Sequence, residues 1–151
     1  MKKFYVLICI LLLNSMVAGR ECMYPPAEGS EHITILRVSF SYSSLNDEYI
    51  VIYNNGKTAV NISNWVVFNS YYEQYRNFYA SERTDPLAWR HVYKIPRGIV
   101  LEPNDWVRIC SGMGKDNEMY LYRNLAASWL EDAGETIYLM DDLCNLIDQY
   151  P

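Results

Sequence analysis

The sequence has few histidines and cysteines, the residues that most often bind zinc. It contains 2 histidines and 4 cysteines, and none of them has the paired C-x-x-C or H-x-x-x-H spacing of a zinc site. Carboxylates are frequent near the C-terminus, but their spacing does not match an EF-hand. They are Glu131, Asp132, Asp141, Asp142 and Asp148. We expect them to be solvated at the ends of hairpins, and we predict neither a metal nor another cofactor.

A catalytic signature is also lacking. Cys110 with His32 or His91 has the residue types of a nucleophile and its base, but no local motif orders them. A cysteine in an oxidising compartment is more often bridged than reactive. We therefore predict that the protein is not an enzyme, with a small extracellular hydrolase as the least favoured alternative.

No apolar run reaches the ~20 residues that a transmembrane helix needs. The longest run follows Lys2 and Lys3 and leads to small residues at Val17, Ala18 and Gly19. This order is typical of a secretory signal peptide over residues 1–19. We expect cleavage near Gly19 and a protein that is secreted or held at the cell surface, without a stable membrane span.

Basic residues are outnumbered, because 13 Lys and Arg stand against 18 Asp and Glu and give a net charge of −5. An acidic domain is repelled by the phosphates of a nucleic acid. We therefore do not expect nucleic acid as a partner.

Three cysteines lie outside the predicted signal peptide, namely Cys22, Cys110 and Cys144. In an oxidising compartment an odd number favours one bridge and one leftover thiol. A bridge between Cys110 and Cys144 is our first choice, and Cys22 with either of them is the alternative.

Short stretches of β-forming residues, separated by turn signals, make up most of the chain. Residues 49–53 are β-branched or aromatic, and Asn55-Gly56 predicts a type I′ turn that returns the chain as a second strand over residues 59–62. This hairpin would carry the sequon Asn61-Ile62-Ser63, which makes Asn61 a candidate glycosylation site. Ser63-Asn64 predicts another turn before a strand over residues 65–68.

Further strands are expected at residues 33–40, 92–95, 99–101, 106–110, 119–122, 136–140 and from 146. Residues 20–31 have no periodicity and several Pro and Gly, so we predict a flexible lead there and a domain over residues 32–150. Trp65 and Trp129 adjoin strand or turn signals and are expected in the core. Many short strands and at most one short helix predict an all-β sandwich or barrel.

An aromatic-rich stretch, residues 69–91, interrupts the strands. Tyr72, Tyr75 and Tyr79 are three and four residues apart, which predicts a short helix over residues 71–80 with these rings on one face. Aromatic rings interleaved with arginines can stack on sugars or on a partner's side chains; the simpler alternative is that the rings pack over one end of the sandwich. The candidate binding residues are Tyr71, Tyr72, Tyr75, Tyr79, Trp89 and Arg90.

Four segments, in this order, resemble the lamin-tail domain family, above all its secreted prokaryotic members. They are DEYIVIYNNG (residues 47–56), VNISNW (60–65), YKIPRGIVLEPNDWVRICSG (93–112) and SWLEDAGETIYLMDDLCNLID (128–148). The resemblance implies an immunoglobulin-like β-sandwich and a non-catalytic role in binding or in display at the cell surface.

Two features depart from the pattern of that family. Cys144 stands where the family usually has glycine, so either the turn differs or a bridged cysteine holds an uncommon conformation. The connection between Phe68 and Tyr93 is also longer than usual. An exposed insertion can acquire its own ligand. We therefore expect a secreted or cell-envelope module that binds another extracellular or envelope protein, with a carbohydrate-binding domain as the alternative.

Overall fold

The computed structural model describes residues 24–41, 43–130 and 134–151; the predicted signal peptide, Cys22, Glu131 and Asp132 lie outside these ranges. The described strands are β1 (Ile33–Ser39), β2 (Tyr49–Asn54), β3 (Val60–Asn61), β4 (Val66–Asn69), β5 (Val92–Lys94), β6 (Val100–Leu101), β7 (Trp106–Cys110), β8 (Tyr120–Tyr122), β9 (Ile137–Met140) and β10 (Leu146–Tyr150). The described helices are α1 (Ser70–Arg76) and the short 3-10 helices Ser30–His32, Ala80–Glu82 and Ala88–His91.

Two four-stranded sheets form the body of the domain. The first has the order β1-β2-β7-β8, the second has the order β10-β9-β4-β5, and β3 pairs with β6 in a small third sheet. All pairs are antiparallel except β7 with β8. The predicted all-β sandwich is therefore confirmed.

The core lies between the two large sheets. Ile50 and Ile52 of β2 face Ile137 and Leu139 of β9 across it, and all four are fully buried because alternate residues of a strand point to the same side. Trp65 and Trp129 are buried in the same cluster, as predicted. They are the largest of the fully buried side chains.

A β-bulge explains why the alternation in the first strand is imperfect. The pairing of β1 with β2 shifts register between Ile35 and Arg37. Leu36 and Arg37 are consecutive and both exposed, whereas Ile35 and Val38 are buried. The extra residue therefore returns Val38 to the core side.

The predicted hairpin around Asn55-Gly56 is wrong. β2 pairs with β1 and β7, whereas β3 pairs with β6, and neither Asn55 nor Gly56 has a positive φ. The buried side chain of Asn54 shapes this connection instead. Its Oδ1 accepts a 2.8 Å hydrogen bond from Gly56 N, and its Nδ2 donates to the carbonyl oxygens of Thr58 (2.8 Å) and Leu101 (2.9 Å). These bonds direct the chain from the first sheet to the third.

The turn at Ser63-Asn64 is confirmed. Asn64 has a φ of 66°, and the side chain of Asn61 accepts a 2.9 Å hydrogen bond from Ser63 N. Ser63 Oγ in turn accepts from Gly98 N at 2.9 Å. Asn61 is exposed, and its glycosylation stays a prediction.

The packed domain begins before the predicted boundary at residue 32. Gly29 and Ser30 are buried, and the 3-10 helix Ser30–His32 leads directly into β1. Gly29 has a φ of 82°, and a Cβ there would lie 2.9 Å from Thr58 Oγ1. The end of the predicted flexible lead is therefore part of the fold.

The cysteine pair that we favoured is not bridged. Cys110 is buried in β7 of the first sheet, Cys144 is exposed in the turn between β9 and β10 of the second, and no disulfide joins them. The alternatives through Cys22 lie outside the described residues. Cys144 does hold the uncommon conformation that we considered, with a φ of 72°.

Asp141 is not a solvated carboxylate, contrary to our expectation. It is 3% exposed. Its Oδ1 accepts hydrogen bonds from the backbone N–H groups of Leu143 (2.9 Å) and Asn145 (2.7 Å), and its Oδ2 accepts from Asn145 Nδ2 (2.7 Å). The carboxylate therefore holds the turn between β9 and β10 together.

Candidate functional site

The aromatic insertion starts from one buried asparagine. Asn69 is fully buried at the end of β4, and its Oδ1 accepts a 3.1 Å hydrogen bond from Tyr72 N, which caps α1. Its Nδ2 lies 2.9 Å from His91 Nδ1 and donates to the carbonyl oxygen of Trp129 at 3.0 Å. Asn69 therefore ties both ends of the insertion to the core.

The helix predicted over residues 71–80 exists but is shorter. It ends at Arg76, where the side chain of Asn77 donates a 2.8 Å hydrogen bond to the carbonyl oxygen of Glu73. The chain then turns away, and Arg83 Nε donates to the carbonyl oxygen of Phe78 at 3.0 Å. Tyr79 consequently lies outside the helix and does not share a helical face with Tyr72.

The helix covers the outer face of the second sheet. Val67 and Leu139 point into the core, so Phe68 and Tyr138 point outward, where their rings stack 5.2 Å apart. The ring of Tyr72 packs edge-on against Phe68 at 5.8 Å. Tyr72 therefore packs over the sandwich, which is the simpler of the two roles considered for the aromatic stretch.

Arg76 completes this cover. Its guanidinium lies 4.7 Å from the centre of the Phe68 ring, and its Nη1 lies 3.0 Å from Met140 Sδ. Arg76 Nε also pairs with Glu73 at 2.5 Å. This arginine is therefore engaged within the fold.

Tyr71 and Tyr75 hold the loop that follows the helix. The Tyr71 hydroxyl donates to the carboxylate of Asp85, and its ring centre lies 4.2 Å from that of His91. The hydrogen bond from Tyr71, with a second from Leu87 N, lowers the pKa of the Asp85 carboxyl. Tyr75 donates to the carbonyl oxygen of Asp85 at 3.4 Å. Both tyrosines therefore serve mainly in packing.

Five large apolar side chains of the insertion are exposed, and one of them, Tyr71 (39% exposed), is held by Asp85 and His91. We call the other four the insertion rim. They are Phe78 (48% exposed), Tyr79 (79%), Leu87 (45%) and Trp89 (56%). The guanidinium of Arg90 lies 5.9 Å from the centre of the Trp89 ring. Of the six predicted binding residues, Tyr79 and Trp89 belong to the rim, and Arg90 lies beside it.

Phe78 and Leu87 of the rim were not among the binding residues predicted from the sequence. Phe78 follows the end of α1, and Leu87 follows the helix-breaking Asp85-Pro86 pair. Apolar residues that directly follow the end of a helix lie on no helical face that could bury them. Their position after a helix stop could therefore have indicated that they are exposed.

A buried polar cluster supports the segment that leads to the C-terminal strands. Glu48 is fully buried, and its carboxylate accepts hydrogen bonds from Trp129 N (3.1 Å) and from the hydroxyl of Ser128. The guanidinium of Arg123 lies 3.9 Å from the centre of the Trp129 ring and donates to the carbonyl oxygen of Val92 at 2.9 Å. Burial lowers the pKa of Arg123 to about 10. The hydrogen bonds of Glu48 and Arg123 hold the backbone on both sides of this cluster, whereas Arg123 Nη1 and Trp129 Nε1 have no hydrogen-bond partner in the described part of the chain.

In the described part of the chain, no group of three or more His, Cys, Asp and Glu side chains could hold a metal ion. None of the described helices is long and apolar enough to cross a membrane.

Two packed, mostly antiparallel sheets with a single short α-helix among the described residues define the class as an immunoglobulin-like β-sandwich. A sequence model of the lamin tail domain matches residues 21–151, which is most of the chain. The chain therefore belongs to the lamin tail domain family, a family of non-catalytic, immunoglobulin-like domains, and membership suggests a protein-interaction module. No curated protein matches the chain well enough to count as a relative.

Proposed function

We propose that this lamin tail domain is a non-catalytic interaction module that acts outside the cell or in the cell envelope, and that it binds another protein through the insertion rim. The proposal rests on a difference in exposure between the inner and outer aromatic side chains of the insertion. Its inner ring at Tyr72 packs against the sheet, whereas four large apolar side chains on the outside stay in solvent. Several large exposed apolar side chains within one insertion are a feature of interaction sites.

One guanidinium beside the rim can bind a carboxylate of the partner. Glu73 is ion-paired with Arg76, whereas Arg90 has no ion pair with a described residue. Arg90 lies beside Trp89. Tryptophan, tyrosine and arginine are the side chains that most often dominate binding energy at protein interfaces.

The location outside the cell rests on the predicted signal peptide over residues 1–19. N-terminal sequencing of the protein purified from its native cell tests this part. A new N-terminus near Gly19 supports it, and an N-terminus at Met1 contradicts it.

The binding site is tested by capture of partners with immobilised domain. The double variant Tyr79→Ala/Trp89→Ala should lose at least about tenfold in capture, because two interface anchors are removed. Met113→Ala is the matched control, since Met113 is 75% exposed and lies outside the insertion. All three proteins should melt at the same temperature. Equal capture by the double variant and the control would overturn the proposal.

Carbohydrate binding is the second candidate function. Trp89 presents an exposed indole with a guanidinium beside it, and such a pair can stack on a sugar ring. A glycan array decides between the two functions. Binding of a defined glycan that is lost in Trp89→Ala, together with no protein partner, would favour the carbohydrate-binding domain.

A further inference from the structure

The two large sheets differ in how their outer faces are covered. α1 packs over Phe68 and Tyr138 on the second sheet. On the first sheet, the outward positions also carry large side chains, but they stay accessible. Leu36 is 57% exposed, and Tyr49 and Trp106 are partly exposed.

These accessible side chains surround a depression of about 350 Å³, which we call the sheet groove. It is lined by Leu36, Arg37, Tyr49, Val51, Trp106 and Arg108. Val51 pairs with Arg37 on one side and with Arg108 on the other. The backbones of the two arginines are therefore separated by two strand spacings, ~10 Å, with an apolar floor between them.

The positive charges of the groove are not neutralised. The guanidinium carbon of Arg108 lies 3.5 Å from the centre of the Tyr49 ring, and that of Arg37 lies 5.9 Å from the same centre. Neither arginine forms an ion pair with a described residue. Arg108 donates to the carbonyl oxygen of Asn46 at 2.8 Å, but its buried Nε has no hydrogen-bond partner in the described part of the chain.

Two cations that converge on one ring repel each other, and an anion between them removes this repulsion. Arginine binds carboxylates particularly well, because its planar fork matches their two oxygens. The groove is thus a basic site on a protein whose net charge is −5. Its occupant should be acidic.

We infer that the sheet groove binds an acidic peptide segment of a partner protein, with a large apolar side chain over Val51 and carboxylates on Arg37 and Arg108. A peptide fits better than an acidic sugar because the two rings of the lining are already engaged: Arg108 covers the Tyr49 ring, and the Trp106 ring packs edge-on against Tyr120 at 5.7 Å. The remaining apolar lining, Leu36 and Val51, is aliphatic and suits an apolar side chain. The groove lies on the first sheet and the insertion lies on the second. The two sites can therefore be occupied separately.

Selection of random 12-residue peptides displayed on phage, with the whole domain immobilised, tests this inference. We expect enrichment of peptides that combine Asp or Glu with Phe, Tyr, Trp or Leu. The charge-reversal variant Arg37→Glu should lose these peptides and should instead enrich Lys and Arg. Arg97→Glu is the matched control, since Arg97 is exposed in the turn between β5 and β6.

The best selected peptide is then synthesised and titrated by fluorescence anisotropy. Arg37→Glu should weaken its binding at least about tenfold, and a rise from 0.1 to 0.5 M salt should weaken it too, because the contacts are ionic. Arg37 is exposed, so its substitution tests the groove without the risk of unfolding that Arg108 carries. The variant Tyr79→Ala/Trp89→Ala should bind the peptide normally.

Three results would overturn the inference. The first is selection of peptides without acidic residues, and the second is equal binding by the Arg37→Glu and Arg97→Glu variants. The third is binding of polygalacturonate in place of every peptide, which would identify an acidic sugar as the occupant. None of them bears on the insertion rim, whose own variant is tested separately.

Discussion

The carboxylate of Asp148 accepts a 2.6 Å hydrogen bond from the backbone N of Ile35. Ile35 lies in β1 at the edge of the first sheet, and Asp148 lies in β10 at the edge of the second. Both strands are irregular here, since pairing shifts register after Ile35 in β1 and between Leu146 and Asp148 in β10. One side chain thus joins the two sheets where their ladders are interrupted.

Replacement of Asp148 by Ala should lower the free energy of unfolding by about 1–3 kcal/mol, because it leaves a partly buried N–H without its charged acceptor. Urea denaturation measures the change. Asp142→Ala, in the exposed turn before β10, should change the stability by less than about 0.5 kcal/mol. Equal effects of the two substitutions would contradict a specific role of the Asp148–Ile35 bond.

Asn54→Ala should lower the free energy of unfolding more than Asp148→Ala does, by about 2–4 kcal/mol. It removes a side chain that accepts one hydrogen bond and donates two at a buried position. The exposed neighbour Asn55 provides the control, and Asn55→Ala should be nearly neutral. Thermal unfolding of both variants measures which of the two substitutions is more destabilising. A hairpin stabilised by an Asn55-Gly56 turn would give the opposite ranking.

The failure of the predicted hairpin shows what local patterns can establish. The strands β2, β7 and β9 were predicted nearly to the residue, because their alternation is set by which side chains are buried. Pairing is a long-range property. Tyr53 pairs with Trp106, and nothing near Asn55-Gly56 in the sequence indicates that partner.

Cys144→Gly should raise the free energy of unfolding by about 1 kcal/mol, because Cys144 has a φ of 72° and a Cβ is unfavourable in the left-handed region. Cys144→Ser is the control, since serine keeps the Cβ while it removes the sulfur. Chemical denaturation compares the two. A gain of the same size in Cys144→Ser would show that loss of the sulfur, and not relief of the backbone, is responsible.

The candidate site was predictable only in part. The spacing of Tyr72 and Tyr75 correctly indicated a helix. Whether a ring is buried depends on Phe68 and Tyr138, which come from two strands that are distant in sequence. The sheet groove was missed because Trp106 and Arg108 fit an ordinary alternation; an aromatic ring on the side expected to be polar was the unused signal.

Tyr72→Ala should loosen the insertion and leave the sandwich folded, because the ring contacts Phe68 on the outer face and not the core. Amide hydrogen exchange should increase in residues 70–76 and stay slow in β2 and β7. Tyr79→Ala should leave exchange unchanged throughout, since Tyr79 is 79% exposed. Faster exchange in both large sheets of Tyr72→Ala would mean that α1 is part of the core.

Glu48 and Arg123 should be energetically coupled. Glu48 is fully buried and Arg123 is partly buried. The field of Glu48 favours the charged form of Arg123, and both contact Trp129 through its backbone or its ring. Removal of one leaves the other charge buried with less compensation. A double-mutant cycle with Glu48→Gln and Arg123→Met should therefore give a coupling free energy of at least about 1 kcal/mol.

The control cycle combines Glu48→Gln with Arg76→Met. Arg76 packs on Phe68 and Met140 outside the second sheet, so it shares no contact with Glu48. The free energies of the two single substitutions should add to within about 0.5 kcal/mol in that cycle. Additivity in both cycles would show that Glu48 acts only through its hydrogen bonds to Ser128 and Trp129, and that the Trp129 ring and the Val92 carbonyl stabilise the charge of Arg123 without Glu48.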